Sequence, residues 1–417
     1  MIPRTATTRL RWAVAVWAVV LIVIGVRVLC STRANSVYPI FSAAGARWLA
    51  GDEVYLPPTA DLDVFRYSPP VAAVFAPWSL LPDRLGGLLW RGLNAAVLLG
   101  GLAAWCRWLW PRLNVPAVFL LVIPLAVGGL NNGQCNALVI GLLLIAQVAF
   151  ARGRWTAAAA LAVVPVLLKG YPLALGLLLC LIEPRRFGLR LAGCLCVAAA
   201  LPYLCQRPEY VTEQYAACLR QLNADDRTNF HLEAGYHDLH MLVRRAGLPM
   251  DLSAYRLLEM ELGLACAALI LVGRSRGWDA RTALDACLGL GACWMTLAGP
   301  ATESSTYVLL APVLARAVLI GAGKPWRQQW VVAASYALFT AAAAVAWFPG
   351  RVSRPIHATG LQPFAALLLT VHVVAECVRS MRNENGRPEL GRPSSRRCAG
   401  HFFSCLGRSA SSSRTGA

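Results

Sequence analysis

Residues 128–147 read GGLNNGQCNALVIGLLLIAQ, an apolar stretch that is interrupted by amides and then resumes. Four amide side chains lie within six residues of this break: Asn131, Asn132, Gln134 and Asn136. One amide would be enough to cap the orphan N–H groups of the helix that follows. Four exceed that need, and each offers both a donor and an acceptor, which suits sugar hydroxyls or a phosphate oxygen. The break therefore predicts a polar binding site at the N-terminal end of the helix that follows.

Long apolar runs with short breaks extend along nearly the whole chain of 417 residues. Hydrophobic residues make up 57% of the chain and charged residues 14%, and the mean hydropathy is +0.54. A soluble globular chain averages about 45–50% apolar and about 25% charged residues. The alternating pattern of an outer-membrane barrel is absent. We therefore expect an all-α fold, a polytopic transmembrane helical bundle.

About twelve spans can be laid out from the apolar runs. They cover residues 12–30, 85–108, 115–130, 134–151, 154–168, 171–182, 187–205, 256–274, 281–299, 305–322, 329–348 and 360–379. A spanning helix needs about 20 residues, so the short runs 154–168 and 171–182 are expected to form a tight hairpin or a broken helix. The Pro-bounded run 69–82 is also short, and we expect a re-entrant or juxtamembrane segment there.

Basic residues indicate the orientation. The net charge is +18, but the arginines are scattered through short loops and the C-terminal tail, which argues against a nucleic-acid partner. The positive-inside rule places most of these loops in the cytoplasm if the run 69–82 does not cross. Both termini are then cytoplasmic, and the basic loops meet anionic membrane lipid. The first apolar run has no small-x-small cleavage site, so we expect it to be a retained span.

One transmembrane domain is expected over residues 1–379, with a first outer loop at 31–84 and a large outer loop at 206–255. Residues 380–417 are rich in Arg, Ser, Gly and Pro and predict a disordered basic cytoplasmic tail. The polar motifs and most acidic residues fall on the predicted outer loops, whereas the inner loops carry little beyond arginine. This asymmetry predicts that any chemistry occurs at the outer boundary between membrane and water.

Lys169 is one of only two lysines in the chain and stands between apolar runs, before Gly-Tyr-Pro. It is either a snorkelling anchor or a binding group for a lipid-linked phosphate, with Tyr171 as a further candidate beside it. Arg66 and Tyr67 precede the Pro pair of the run 69–82. They are either interfacial anchors or contacts to a phosphate or a sugar ring.

The later outer loops carry candidate carboxylates and histidines. His237, Asp238 and His240 are types that ligate metals, but no helix register or second group supports a metal site, and no metal or cofactor is expected. His237 is a candidate for substrate binding and Asp238 for a carboxylate facing the site. Glu303 begins a span from the outside, where it either satisfies the helix dipole or belongs to the site.

Four stretches carry a resemblance to a known family. They are FSAAGARWLAGDEVY (41–55), FRYSPPVAAVFAPWSLLP (65–82), LNNGQCNALVIGLLLIAQVAFARGRW (130–155) and LLKGYPLALGLLLCLIEPRR (167–186). These are similar to glycosyltransferase family 87, within the GT-C superfamily of polytopic transferases. The resemblance covers roughly residues 36–190 well and the rest loosely. It implies a helical bundle of GT-C type.

The resemblance implies an inverting transferase that takes a hexose, commonly mannose, from a polyprenyl-phosphate donor. The acceptor would be a lipid or glycan on the outer face of the bacterial inner (plasma) membrane. Such chemistry needs a cation to stabilise charge on the departing phosphate and a carboxylate to take the proton of the acceptor hydroxyl. A transporter or flippase is the competing interpretation. Transporters put ionisable residues at mid-membrane and often show repeated halves, whereas the polar motifs of this chain gather on one predicted face and no repeat is visible.

One departure from the family concerns the catalytic carboxylate. The family usually places an Asp shortly after the first span, and the corresponding position here is Val37. Tyr-His-Asp at 236–238 stands where many members have Asn-Gln-Ser, and ESSTY stands where many have a His. The candidate bases are Glu303 and Asp238, followed by Asp52. A non-catalytic relative that only binds polyprenyl lipid is the alternative.

Overall fold

A computed structural model describes residues 4–31, 36–59, 62–224, 236–248, 250–300, 302–346, 348 and 350–385. Within these ranges the chain is helical and contains no strand, which confirms the all-α class. Each of the apolar runs contains a helix, because a backbone in lipid must satisfy its hydrogen bonds within the segment.

The first third of the chain forms α1 (Arg4–Cys30), α2 (Tyr38–Ala50), α3 (Pro69–Phe75), α4 (Asp83–Leu109), α5 (Val115–Leu121) and α6 (Ile123–Asn132). The amphipathic α2 buries Tyr38, Phe41 and Trp48 against its neighbours. It touches α3 through backbone, since a Cβ at Gly45 would lie 2.3 Å from the carbonyl oxygen of Phe75. The short α3 begins at a Pro pair, which suits a first helical turn.

The middle third forms α7 (Asn136–Ala151), α8 (Trp155–Leu168), α9 (Leu173–Ile182), α10 (Leu189–Ala200), α11 (Pro208–Ala224) and α12 (Leu239–Arg245). The central α7 is buried along nearly its whole length. It packs on α4 at two glycines, because a Cβ at Gly101 would lie 2.5 Å from the carbonyl oxygen of Gly141. Small residues at such crossings let helices approach closely in a membrane.

The last third forms α13 (Leu252–Ser275), α14 (Ala280–Leu297), α15 (Ala311–Gly321), α16 (Trp326–Val345), α17 (Gly350–His357) and α18 (Leu361–Asn385). A 3-10 segment, Ser304–Leu310, leads directly into α15. Helix α18 continues past residue 380, where the sequence predicts the start of the tail. The rest of that predicted tail, residues 386–417, lies outside the described residues.

Among the described helices, five are long and apolar enough to cross a membrane. The bent pair α5 and α6, which meet at 56°, would make a sixth span if it crosses as one. Pro124 lies at this bend and lacks the N–H that a continuous helix would use. Three apolar helices, α7 to α9, are shorter. The chain is thus a helical membrane protein, and the count of twelve spans stays a prediction.

Candidate functional site

A cavity of about 870 Å³ lies where the breaks between helices meet. Its polar end is lined by six residues that the sequence singles out: Arg66, Tyr67, Gln134, Lys169, Tyr171 and Glu303. The rest of the lining is mostly apolar. It forms a groove between α9 and α13 that also contains Arg256 and Glu259 and reaches Gly291 and Trp294 of α14. Residues from predicted outer loops far apart in sequence therefore share one cavity.

Lys169 lies where α8 ends. Its backbone is extended, with φ −150° and ψ 127°, and its N–H donates to the carbonyl of Pro165 at 2.8 Å. The half-buried side chain faces the cavity, and within the described part of the chain its ammonium has neither a hydrogen bond nor a salt bridge. Burial acts to lower the pKa of Lys169, but Tyr171 and Glu303 act against it and the net direction is upward. The ammonium is therefore charged at neutral pH.

Glu303 precedes the 3-10 segment and is held by several neighbours. Gln134 Nε2 donates to its Oε2 at 2.6 Å, and Ser305 Oγ donates to the same oxygen at 3.4 Å. The Glu303 N–H donates to Thr306 Oγ1 at 3.1 Å. Glu303 and Lys169 face the same cavity without forming a salt bridge. A carboxylate fixed in this way remains available to a third molecule.

Asn136 is fully buried behind the cavity wall. Its Nδ2 donates to Ser305 Oγ at 3.0 Å, and its Oδ1 accepts from the Tyr171 hydroxyl at 3.0 Å. This one amide therefore ties α7 both to the segment after Glu303 and to the turn after Lys169. Its contacts position the two charged residues from behind.

Asn131 and Asn132 contribute their backbone carbonyls at the end of α6. Arg91 Nη2 donates to the Asn131 carbonyl at 3.0 Å, and the Val37 N–H donates to the Asn132 carbonyl at 2.8 Å. Gly133 ends the helix with φ +74°, a conformation that glycine adopts at little cost. Within the amide cluster, Gln134 thus lines the cavity, whereas Asn131 and Asn132 form the turn before it.

Val37 lines the same cavity as Glu303. Its N–H donates to the turn after α6, so the position that the resemblance assigns to the family's Asp lies beside the turn that carries Gln134. The cavity therefore combines an apolar side chain at the usual carboxylate position with a carboxylate supplied by another segment.

Asp238, His237 and Asp52 are not among the residues that line the cavity. Asp238 is buried, and its Oδ1 accepts from the Met241 N–H at 3.2 Å as the N-cap of α12. Asp52 is exposed and follows the C-cap of α2. The His237 N–H donates to the Thr302 carbonyl at 2.7 Å. Burial, with a contribution from His357, lowers the pKa of His237 to about 4, so this imidazole is neutral.

Sequence reasoning did not single out Arg91, although a buried Arg in an apolar helix is an available signal. Its Nη2 also lies 3.2 Å from Ser36 Oγ, so it joins the first loop to the turn after α6. Arg256 and Glu259 of α13 line the cavity as well. Their spacing places both on one face of that helix.

The apolar groove presents large side chains that are open on one side. Leu177 of α9 is 55% exposed, and Met260 and Leu264 of α13 are 63% and 67% exposed. All three line the cavity that continues to Lys169 and Glu303. The arrangement suits an amphiphile with a charged head and an apolar chain. Among the described residues no group of His, Cys, Asp and Glu could hold a metal ion.

A family model, glycosyltransferase family 87, matches residues 65–300, which is more than half of the chain. The chain belongs to glycosyltransferase family 87. This confirms the family suspected from the sequence motifs and makes the protein a membrane glycosyltransferase with a sugar donor and an acceptor as substrates. No match was found among curated proteins or solved structures.

The family 87 match includes Arg66, Tyr67, the amide cluster and Lys169. It begins after Val37 and ends before Glu303. Val37 and Glu303 therefore lie on either side of the matched region, yet both line the cavity.

Proposed function

We propose that this glycosyltransferase transfers a hexose, mannose by the family resemblance, from a polyprenyl-phosphate donor to a lipid or glycan acceptor. The observation that carries the proposal is a shared cavity in which the Lys169 ammonium, without a salt bridge to any described residue, adjoins an apolar groove between α9 and α13. A lipid-linked sugar phosphate has the same two parts, an anionic head and an apolar chain.

The proposed donor phosphate binds Lys169, with Arg66 and Tyr67 at the rim of the cavity. Arg66 Nη1 is 2.8 Å from Asp63 Oδ2 in a half-exposed pair, so its position is set while Lys169 supplies the unpaired charge. Charge-assisted hydrogen bonds to phosphate are the stronger class. When the bond between C1 of the sugar and the phosphate oxygen breaks, its electron pair goes to the phosphate, and the ammonium stabilises that charge.

Glu303 is the proposed base. It takes the proton of the acceptor hydroxyl while the acceptor oxygen forms a bond to C1 from the face opposite the phosphate, so the anomeric configuration inverts. Gln134 and Ser305 orient the carboxylate, and Asn136 and Tyr171 hold the segment that carries it. Asp238 ranks lower because it is buried outside the cavity lining, and Asp52 because it is exposed away from that lining.

The remaining candidates have supporting roles in this proposal. Gln134 contacts the sugar or the phosphate from the cavity wall, whereas Asn131 and Asn132 set the turn that carries it. His237 holds the 236–238 loop against the segment near Glu303. The proposed mechanism assigns no step to a metal or a cofactor, in line with the expectation from the sequence.

We place the reaction on the outer face of the bacterial inner membrane, with a GT-C bundle of about twelve spans and both termini cytoplasmic. The convergence of residues from the predicted outer loops 31–84, 131–134, 169–170 and 299–305 on one cavity supports this orientation. Charge bias supports the same orientation, because it places the arginine-rich loops at the other ends of the helices in the cytoplasm.

The experiment supplies purified protein in nanodiscs with polyprenyl phosphate carrying tritiated mannose, together with lipid extract as acceptor. Transfer of label or release of polyprenyl phosphate supports the enzyme. Tight binding without turnover supports the non-catalytic relative, which Val37 at the family's Asp position favours. Movement of intact donor across proteoliposomes, without cleavage, supports a flippase. Absence of donor binding contradicts all three.

A further inference from the structure

A second cavity, of about 340 Å³, lies between α14, α15 and α18, with Trp110 in its lining. Four cations line it: Arg281, Arg316, Lys324 and Arg379. Two carboxylates oppose them, Asp285 and Glu376. The lining therefore has two positive charges in excess, and the proposed transfer reaction uses none of these residues.

The inner wall of this second cavity is a fixed ionic cluster. Arg316 is only 5% exposed, and its Nη2 lies 2.6 Å from Glu376 Oε2 and 3.2 Å from Asp285 Oδ2. Its Nε is buried with no hydrogen-bond partner among the described residues. The buried guanidinium is therefore held rigidly while part of its donor capacity is unused.

The outer wall carries cations that are free to meet a ligand. The Arg281 guanidinium lies 4.4 Å from the centre of the Trp110 ring. Arg379 donates from Nε to the Ala375 carbonyl of its own helix at 3.1 Å. Neither these arginines nor the exposed Lys324 has a salt bridge within the described part of the chain. Three unpaired cations thus converge around one concave surface.

The second cavity lies far from the polar end of the first cavity along the helices, although the apolar lining of the first reaches Gly291, two residues from Gly289 of the second. The continuous helical stretch Ser304–Gly321 has 18 residues and joins Glu303 to the region of Lys324. At about 1.5 Å per residue it spans about 27 Å, close to the thickness of the hydrocarbon core. The second cavity then opens at the level of the opposite headgroups, among the loops that charge bias assigns to the cytoplasm.

We propose that the second cavity binds a phosphate group, carried by an anionic phospholipid headgroup of the cytoplasmic leaflet or by free phosphate. The excess of two positive charges favours an anion such as phosphate, and basic pockets between membrane helices bind such headgroups. The Trp110 ring suits the boundary between a headgroup and its acyl chains. This proposal stands on its own residues and is independent of the transfer reaction.

The test measures binding to the full chain in detergent by native mass spectrometry and by titration of thermal stability. The probes are short-chain phosphatidylglycerol, inorganic phosphate and, as a neutral-headgroup control, short-chain phosphatidylcholine. The variant is Arg281→Gln with Lys324→Gln, which leaves the buried Arg316 cluster intact. The matched control is Arg112→Gln with Arg327→Gln, two exposed cations that do not line this cavity.

We expect phosphatidylglycerol to bind wild type and the control variant and to bind the Arg281/Lys324 variant at least tenfold more weakly. Binding of inorganic phosphate with the same loss in that variant identifies the free ion as sufficient, whereas binding of the lipid alone identifies the headgroup as the source. Equal weakening in both double variants overturns the proposal. So does equal binding of phosphatidylglycerol and phosphatidylcholine, or no binding of either phosphate probe to wild type.

Discussion

Lys169 and Lys324, the only two lysines of the chain, line two different cavities. Around Lys169, the opposing carboxylate of Glu303 is held by neutral donors and forms no salt bridge with the lysine. Around Lys324, the carboxylates of Asp285 and Glu376 are already paired with the buried Arg316. Both cavities thus combine cations with carboxylates. The ion pair that lines the first, Arg66 with Asp63, is partly exposed, whereas the second pairs its carboxylates with a buried arginine.

The difference indicates different roles for the charged groups. A cation and a carboxylate kept apart in a confined cavity can each act on a different part of a bound molecule, which a transfer reaction requires. A buried ion pair holds helices in register, and removing one partner leaves an uncompensated charge. Substitutions at the first cavity should therefore change catalysis and donor binding, and substitutions at the Arg316 cluster should change stability.

The largest expected effect is on turnover in Glu303→Gln. Loss of a general base costs about 10²–10⁴ in rate, and the amide keeps an acceptor for the Gln134 donor, so donor binding should stay near normal. Initial rates of sugar transfer and equilibrium binding of the donor check both expectations. Asp52→Asn, an exposed carboxylate outside the cavity lining, is the control and should keep its rate.

A second substitution sharpens the assignment of the base. Val37 lines the cavity at the family's usual Asp position. If a carboxylate there can serve as base, adding Val37→Asp to Glu303→Gln should raise the rate of transfer at least about tenfold above that of Glu303→Gln alone. Unaltered turnover in Glu303→Gln would contradict the assignment of Glu303, whatever the double variant does.

Arg316→Gln should destabilise the fold. Removing one partner of a buried ion pair costs about 3–5 kcal/mol, because Asp285 and Glu376 would then be buried without their cation. Thermal unfolding in nanodiscs measures this loss. Lys169→Gln is the matched comparison and should leave the unfolding temperature near that of wild type; a similar drop in both variants would remove the distinction between the two cavities.

Lys169→Met should weaken donor binding at least tenfold, since a charge-assisted contact is worth about 1.5–3 kcal/mol. Lys169→Arg should keep part of the affinity, and Arg207→Met, an exposed cation elsewhere, should keep all of it. Because the pKa of Lys169 is raised, wild-type affinity should hold from about pH 7 to about pH 10, the ordinary lysine pKa. Unchanged donor binding in Lys169→Met would reduce the lysine to a membrane anchor.

The smallest expected effect concerns the groove. Ala267→Trp on α13 would fill part of the groove, so affinity for a long-chain donor should fall about tenfold, equivalent to roughly two buried CH₂ groups. A donor with only two isoprene units should lose little. The control is Leu257→Trp, on the same helix but outside the lining, where the native side chain is 62% exposed. Equal losses for both chain lengths would argue against this path for the lipid.

Much of the fold follows from local pattern. Apolar runs must be helical in lipid, and the break at Lys169 follows from the short runs on either side of it. Charge asymmetry further predicts a shared site on one face, and Gln134, Lys169 and Glu303 do line one cavity. These features need only periodicity, run length and the distribution of arginine.

The direction of individual side chains does not follow from local pattern. Gln134 and Asn136 are two residues apart, yet one lines the cavity and the other is buried behind it. Gln134 belongs to the turn after α6, where its N–H donates to the Gly129 carbonyl at 2.9 Å, whereas Asn136 begins α7, whose rotation is set by its packing on α4. The bond between Gln134 and Glu303 joins residues 169 positions apart. The presence of Arg256 of α13 in the cavity lining likewise depends on packing between distant segments, which the spacing of residues along the sequence does not show.

The most direct test of the central claim is a structure of the protein with a non-cleavable phosphonate analogue of the polyprenyl-phosphate sugar. The account predicts a phosphonate oxygen at about 2.7–2.9 Å from Lys169 Nζ, the distance of a charge-assisted hydrogen bond, with the sugar beside Glu303 and the isoprenoid chain between α9 and α13. A phosphonate bound away from Lys169, with the groove between α9 and α13 empty, would contradict it.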